Sequence, residues 1–291
     1  MGKLDFSLIV PVRGKQEDLD AFLVPVRSFS RDGSWELIVI DDHSDEVLEL
    51  DGSIGTIIRA PSQSGAAVSR NMGAEKAVGD YLVFLSVFLV LPEGYIDKLK
   101  DHISENKFDY SQHPVAVTPG VDLDFFQKFL GNQTQRMAGG KATIPIKQSL
   151  FTAALVKKDV FVEVGGFDAT MKHYGGHEMD IVYRMDKAGY RERVLTPSIT
   201  LNRMRISDHR KTVSRLREYG RTGLPNLLEK HPELGRDILS HPHIWTIASA
   251  LFLGKAMESF ISSLVMLNIK LPKIIYRLYL HLIVRNAWDS R

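Results

Sequence analysis

The sequence predicts an α/β protein with a mostly parallel central sheet and a helical extension at its C-terminus. Three observations predict it. Short runs rich in Ile, Leu and Val alternate with stretches of helical spacing over the first third of the chain. The run Tyr81–Leu91 (YLVFLSVFLVL) is apolar almost throughout, as a strand covered on both faces requires. From about Asp208 the spacing reads as helical to the end.

Phe6–Val12 (FSLIVPV) reads as a buried strand running into a loop at Gly14. Glu17–Phe29 places Leu19, Phe22, Leu23 and Val26 on one helical face. Glu36–Ile40 is a second strand, stopping at Asp41-Asp42, and Thr56–Arg59 a third. Ser64–Val78 is helical, with Gly79-Asp80 as its stop. The pattern then weakens. Tyr110–Val117 reads as a strand, Gly131–Gly140 as a loop and Leu150–Val156 as another strand. Lys157–Val164 is a short helix before Gly165-Gly166-Phe167-Asp168. In the helix His177–Ala188, Ile181, Met185 and Ala188 share a stripe, Gly189 stops it, and a strand follows at Arg191–Leu195. A division near 205–225 separates an α/β body, residues 1–207, from a helical extension, residues 208–291.

Composition bounds the chemistry. The chain has 291 residues, 44% of them hydrophobic, which suits a globular protein with its own core. A net charge of +2 gives no global field for nucleic acid, and no such partner is expected. With no cysteine, disulfides, thiolate metal sites and cysteine nucleophiles are excluded. Lys3 and Asp5 interrupt the start, so no signal peptide is expected, and Phe6 stands where a myristoylation signal wants Ser or Thr. No uncharged apolar stretch reaches the roughly 18–20 residues of a membrane span. The expected location is cytoplasmic, free or peripheral at the inner face of the plasma membrane.

In a parallel α/β sheet, ligands gather beyond the carboxyl ends of the strands. Arg13, Asp41, Asp42 and the residues after Leu85 are therefore the first candidates. No Gly-x-Gly-x-x-Gly follows the first strand, which argues against a dinucleotide-dependent oxidoreductase.

Four blocks then stand in order: SLIVPVRG at 7–14, LIVIDDHSD at 37–45, GAAVSRNMGAEKAVGDYLVFL at 65–85 and GGFDATMKHYGGHEMDIVYRMDKAGY at 165–190. Any one alone is weak. Together, over roughly residues 6–200, they resemble family 2 glycosyltransferases of the GT-A fold. The resemblance implies a nucleotide-sugar donor, UDP-linked by default, and a glycan or lipid-linked acceptor. Pro11, Val12 and Arg13 would present backbone groups and a cation to the base or phosphate. Asp41 and Asp42 would accept hydrogen bonds from a uracil N–H or a ribose hydroxyl, and Arg70 and Asn71 would lie near the nucleotide. On composition alone, Asp41-Asp42-His43-Ser44 is good turn chemistry, and Arg70 is equally a solvated helix charge.

Where the family carries Asp-x-Asp to hold a divalent cation, this sequence has Ser86-Val87-Phe88. Hard cations want oxygen ligands, mostly carboxylates, so no metal ligand is assigned here and Mg²⁺ or Mn²⁺ would have to be held otherwise. Ser86 and Phe88 are placed beside the diphosphate or sugar. The leaving diphosphate still needs positive charge. Residues 203–221 offer Arg203, Arg205, His209, Arg210, Lys211, Arg215, Arg217 and Arg221 against Asp208 and Glu218. His209 and Arg210 are the diphosphate candidates; a solvated or membrane-facing basic helix is the alternative.

The resemblance also implies an inverting transfer, and aligns Glu178 with the family's aspartate base, with His177 in place of the preceding acid. Asp180 is the second carboxylate, structural or acceptor-binding. The bland reading of Glu178 is a charge favoured at a helix start. Gly166, Phe167 and His177 are the acceptor-side candidates. In the tail, Ile244–Leu267 and Ile269–Val284 are apolar but interrupted by charge, and Lys273, Arg277 and Arg285 stand among Ile, Leu, Tyr and Trp288. Such a helix suits the interface of an anionic membrane; the alternative is a helix pair packed on the α/β body or on a second copy of the chain. A degenerate relative that binds a nucleotide or glycan as a scaffold, without turnover, is the rival to an enzyme.

Overall fold

β1 (Phe6–Val12) is an interior strand of the larger sheet, and its burial follows from its sequence: every residue but Pro11 is buried. Along it, Leu8 and Val10 pack into one apolar cluster while Ile9 packs into the other, the period of two that a strand with both faces covered must show. The structure is a computed structural model and describes residues 4–136, 144–171, 174–196, 198–239 and 254–290.

After β1 come α1 (Gln16–Val26), β2 (Trp35–Asp41), β3 (Thr56–Arg59), α2 (Ala66–Lys76) and β4 (Tyr81–Leu85). β5 (Leu89–Val90), α3 (Tyr95–Glu105), β6 (Tyr110–Gln112), β7 (Val115–Val117) and α4 (Phe125–Arg136) follow. Then come β8 (Ala153–Lys157), α5 (Lys158–Glu163), α6 (His177–Lys187), β9 (Arg193–Leu195) and β10 (Leu201–Arg203). The larger sheet has seven strands in the order β3-β2-β1-β4-β8-β6-β9; the smaller has three, β5-β10-β7. β3, β2, β1 and β4 are parallel, β8 is antiparallel to β4 and β6, and β9 is parallel to β6. This is the mostly parallel α/β sheet that the sequence predicts.

The chain divides into two compact units. The first takes Met1–Thr118, Thr134–Lys172 and Glu178–Arg205; the second takes Pro119–Gln133, His173–His177 and Ile206–Arg291. In the second unit, α7 (His209–Glu218) passes through one π turn (Tyr219–Gly223) into α8 (Leu224–Lys230) and α9 (Leu234–Leu239). α10 (Gly254–Met266) and α11 (Lys273–Trp288) then form a hairpin. Its core joins Phe126, Phe129 and Val213 to Ile261 and Val265 of α10 and to Tyr276, Tyr279, Leu282 and Ile283 of α11. The buried stripe of α11 is therefore spent on packing within the second unit. Among the described residues no helix is long and apolar enough to cross a membrane.

Three sequence expectations need correcting. Tyr81–Leu91 is not one strand: the chain turns at Ser86, where the Leu89 N–H donates to the Ser86 carbonyl (3.1 Å), and β5 leaves for the other sheet. Val87 and Leu89 remain buried in the same cluster as Leu85, so the apolar run continues while the backbone bends. Tyr110–Val117 splits at His113-Pro114, where proline cannot donate to a ladder. Gly131–Gly140 is no loop over its first part, since α4 runs to Arg136; burial of Phe126 and Phe129 outweighs the weak propensity of Gly131. The rest of that segment lies outside the described residues.

Candidate active site

Because β1, β2 and β4 run parallel, Val12, Asp41 and Leu85 finish on one edge of the sheet. The Asp42 N–H donates to the Val12 carbonyl (2.8 Å) and the Gly14 N–H to Ser44 Oγ (3.2 Å), which stitches the first two strand ends together. Val12 is buried and Pro11 half-buried, so they offer backbone; Arg13 is exposed.

Both aspartates at the end of β2 are engaged in the fold. Asp41 is fully buried, accepting the Ser44 N–H at 2.8 Å on Oδ1 and the Arg59 guanidinium at 2.5 Å on Oδ2. Burial opposes its charge, but the Ser44 and Arg59 hydrogen bonds outweigh it and hold the carboxyl below its usual range. Asp42 Oδ1 accepts the Ser64 N–H and hydroxyl, each at 2.8 Å, while Oδ2 accepts the Gly65 N–H at 3.0 Å. It thereby fixes the approach to α2, where Gly65 stands at φ 85°, a conformation that glycine adopts without strain. The turn reading of Asp41-Asp42-His43-Ser44 is thus realised in the geometry. Arg59 was no sequence candidate, although the register pairing it with Asp41 is the signal that marks it.

Asp42 grips the start of α2; Arg70, five residues after Gly65 and so about 7.5 Å along the axis, reaches Glu178. The Arg70 Nη2 lies 3.3 Å from Glu178 Oε1, with side chains 7% and 19% exposed. The same oxygen accepts the Phe151 N–H at 2.9 Å. Among the described residues no hydrogen bond reaches Oε2. Burial pushes the Arg70 guanidinium down from its usual value while Glu178 beside it pulls the other way, so this cation depends on its carboxylate. Arg70 also lies over the Phe167 ring, 5.3 Å from its centroid. Arg70 is no solvated helix charge. The Ser86 N–H donates to the Thr152 carbonyl (2.9 Å), so Phe151, and with it Glu178, sits directly beside the end of β4. Glu178, Arg70, Asp42 and Ser86 therefore border one edge of the sheet.

The remaining site candidates behave differently. Asn71 clamps the Phe167 backbone from both sides, donating to its carbonyl at 2.7 Å and accepting its N–H at 2.9 Å. Phe167 is 2% exposed and meets Phe84, Phe151 and Phe161 in edge-to-face contacts, so its ring belongs to the core and presents nothing to an acceptor. Gly166 has φ 63°, and an added Cβ would stand 2.9 Å from Asn71 Oδ1. Asp180 is buried and held by Arg184 through Nε (3.0 Å) and Nη2 (2.7 Å). Arg184 in turn donates to the Val164 and Gly166 carbonyls. Asp180 therefore braces the glycine turn. His177, half-buried, opens α6 directly before Glu178.

At the place of Asp-x-Asp, Ser86 Oγ accepts the Phe88 N–H at 3.4 Å and closes the turn. Over the Phe88 ring, 5.6 Å from its centroid, lies the Arg205 guanidinium, which also meets Asp18 at 3.1 Å. A divalent cation does not fit this donor set: the turn carries no carboxylate and instead faces a positive side chain. Among the described residues no three His, Asp or Glu side chains come together as ligands.

In the second unit, His209 turns inward. Its Nε2 pairs with the Tyr279 hydroxyl at 2.7 Å, its ring stacks on Tyr279, and Phe126 meets it edge-on. Burial pushes its pKa down against the opposing pull of Asp124 and Asp208. Its ring is taken up by packing, whereas the Arg210 beside it is exposed.

The profile of the family described as Glycosyl transferase family 2 matches residues 7–165. An uncharacterized glycosyltransferase of Haemophilus influenzae is 26% identical over 170 residues, 57% of each chain. Polypeptide N-acetylgalactosaminyltransferase 3 of Drosophila melanogaster is 25% identical over 54% of this chain and 28% of its own. The match thus spans little more than half of the first relative's length and under a third of the second's. Among solved structures, GalNAc-T7 with UDP, GalNAc and Mn²⁺ superposes with TM-score 0.54 at 16% identity, over 79% of this chain and 51% of that one. The Pyrobaculum calidifontis mannosyltransferase PcManGT, with GDP-Man and Mn²⁺, gives 0.58 at 15% identity, over 98% and 88%. Both likenesses are of fold.

Proposed function

Since the chain belongs to glycosyl transferase family 2, we propose that it transfers a sugar from a nucleoside-diphosphate donor to a hydroxyl of a glycan or lipid-linked acceptor, with inversion and with Glu178 as general base. The observation that carries this reading is the Glu178 carboxylate at the sheet edge, fixed through Oε1 by the Phe151 N–H and Arg70 while Oε2 is left unengaged among the described residues. A base must be oriented by one set of contacts and open through another. Glu178 takes the acceptor hydroxyl's proton as that oxygen attacks the anomeric carbon. The bond from that carbon to the diphosphate oxygen breaks, and the nucleoside diphosphate leaves with the electron pair.

The donor meets the exposed Arg13 and the backbone of the 11–14 and 42–44 loops. Asp41 and Asp42 shape this surface by holding Ser44, Arg59, Ser64 and Gly65. Asp180 and Asn71 are positioning residues for the 165–167 turn. Preorganised positive charge must offset the departing diphosphate. Arg205, over the Phe88 ring, and Arg13 supply it, and no step is routed through a metal.

The test is a transfer and donor-hydrolysis assay across UDP-, GDP-, CMP- and dTDP-sugars, run with and without EDTA. Turnover that survives the chelator supports the reading. Turnover abolished by EDTA and restored by Mn²⁺ overturns the charge assignment. Donor binding with no turnover on any lipid or glycan extract assigns the chain to the scaffold reading that Ser86-Val87-Phe88 favours.

A further inference from the structure

The tip of the α10–α11 hairpin carries large apolar side chains in water. Met266 is 61% exposed, Leu267 72%, Ile269 42% and Ile274 58%. Phe260, one α10 face with Leu267, is 64% exposed. These side chains are held there by a built turn. Asn268 takes φ 53°, its N–H donates to the Val265 carbonyl (2.9 Å), and the Ile269 N–H donates to the Leu264 carbonyl (3.0 Å). That is the paired bonding of a Schellman cap, with asparagine in the left-handed position. On the far side, the buried Tyr276 receives the Leu271 N–H on its hydroxyl and donates to the Ile269 carbonyl, both at 3.3 Å. The Asn268 side chain also accepts the Phe125 N–H at 3.0 Å, which adds a further exposed ring at the same end of the second unit.

A fold that needed only solubility would place polar residues on so fixed a turn. Around it stand Lys270, Lys273 and Arg277, all exposed, and the sequence has no Asp or Glu between Glu258 and Asp289. We propose that this tip is a docking surface for an anionic lipid bilayer. Leu267, Ile269 and Ile274 enter the boundary between headgroups and acyl chains, and the three cations lie at phosphate level. Charge complementarity selects this occupant. In a two-fold contact between copies of the chain, the same patch would face itself and set Lys270, Lys273 and Arg277 against their own equivalents. An anionic surface offers them counter-charge. Docking here extends the lipid-linked reading of the acceptor to a place on the chain. It is measured with neither donor nor acceptor present, so it and the transfer reaction can fail separately.

The experiment is co-sedimentation of the full chain with vesicles of phosphatidylcholine alone and of phosphatidylcholine mixed with phosphatidylglycerol. Binding to the mixed vesicles, weakened by salt, is the expected result. Each cation near an anionic surface contributes about fivefold in affinity. The triple variant Lys270→Gln/Lys273→Gln/Arg277→Gln is expected to lose roughly 100-fold. Leu267→Asp with Ile269→Asp is expected to abolish binding while the melting temperature holds. Equal binding to both vesicle types, no binding to either, or variants that sediment like the parent would each overturn the proposal. So would a concentration-dependent dimer in light scattering that Leu267→Asp dissolves, since the patch would then be closed by a second copy.

Discussion

Replacing Asp42 separates a residue that holds a loop from one that touches a ligand. Its carboxylate receives three donors, the Ser64 N–H and hydroxyl at 2.8 Å and the Gly65 N–H at 3.0 Å, and it is 6% exposed. Hydrogen bonds to a charged group contribute about 1.5–3 kcal/mol each when one partner is lost, though shared acceptors do not add in full. Loss of a helix-start acceptor alone costs about 1 kcal/mol. Asp42→Ala strands two backbone N–H groups ahead of α2, and the combined cost is about 3 kcal/mol. In a domain of this size that lowers the melting temperature by about 6–12 °C. Asp42→Asn keeps an acceptor for Ser64 but turns a donor toward Gly65, and should cost about 1 kcal/mol. Thermal unfolding followed by circular dichroism, beside donor titration by calorimetry, reads both effects. A melting temperature unmoved in Asp42→Ala, with donor affinity alone reduced, would refute the loop-holding role and return the carboxylate to direct contact with the nucleotide.

Two further predictions concern the first unit. Burial pushes His102 down to about 4 and, with His102 beside it, His113 down to about 3. The unfolded chain takes up their protons first as pH falls below the ordinary value near 6.5, so stability should drop between about pH 6.5 and 4, by up to about 1.4 kcal/mol per pH unit for each histidine. Urea midpoints that stay level from pH 7.5 to 5 would contradict the buried neutral pair. Gly73→Ala would drive a Cβ into the Ile9 side chain beneath α2. Overpacking of that kind costs about 1–3 kcal/mol and, because α2 carries Arg70, should also lower turnover; an unchanged melting temperature would argue against so close a helix–strand approach.

Legibility in the sequence followed how local each signal is. β1 and β3 have the bounds that the sequence predicts; for β1 the reason is that a covered strand writes its burial into consecutive residues. The turn inside Tyr81–Leu91 escaped because apolar residues on both sides of it enter one cluster, and hydrophobicity reports burial rather than backbone direction. Glu178 was found through likeness to a family motif, but its link to Arg70 needs α2 and α6 brought together in space, which no periodicity encodes. His209 shows the same limit: nothing near Asp208 announces that its ring will stack on Tyr279, seventy positions on. The sequence leaves two outcomes open for the α11 stripe, and only its packing against α10 and Phe126 shows what its buried face covers.

Glu178 gives the most direct measurement: single-turnover transfer by Glu178→Gln, with donor affinity taken on the same preparation. Glutamine retains an oxygen for the Phe151 N–H and removes the proton acceptor. The account requires the transfer rate to fall by about 100-fold or more with donor binding preserved. A variant that transfers sugar at close to the parent's rate would show that another group removes the acceptor's proton.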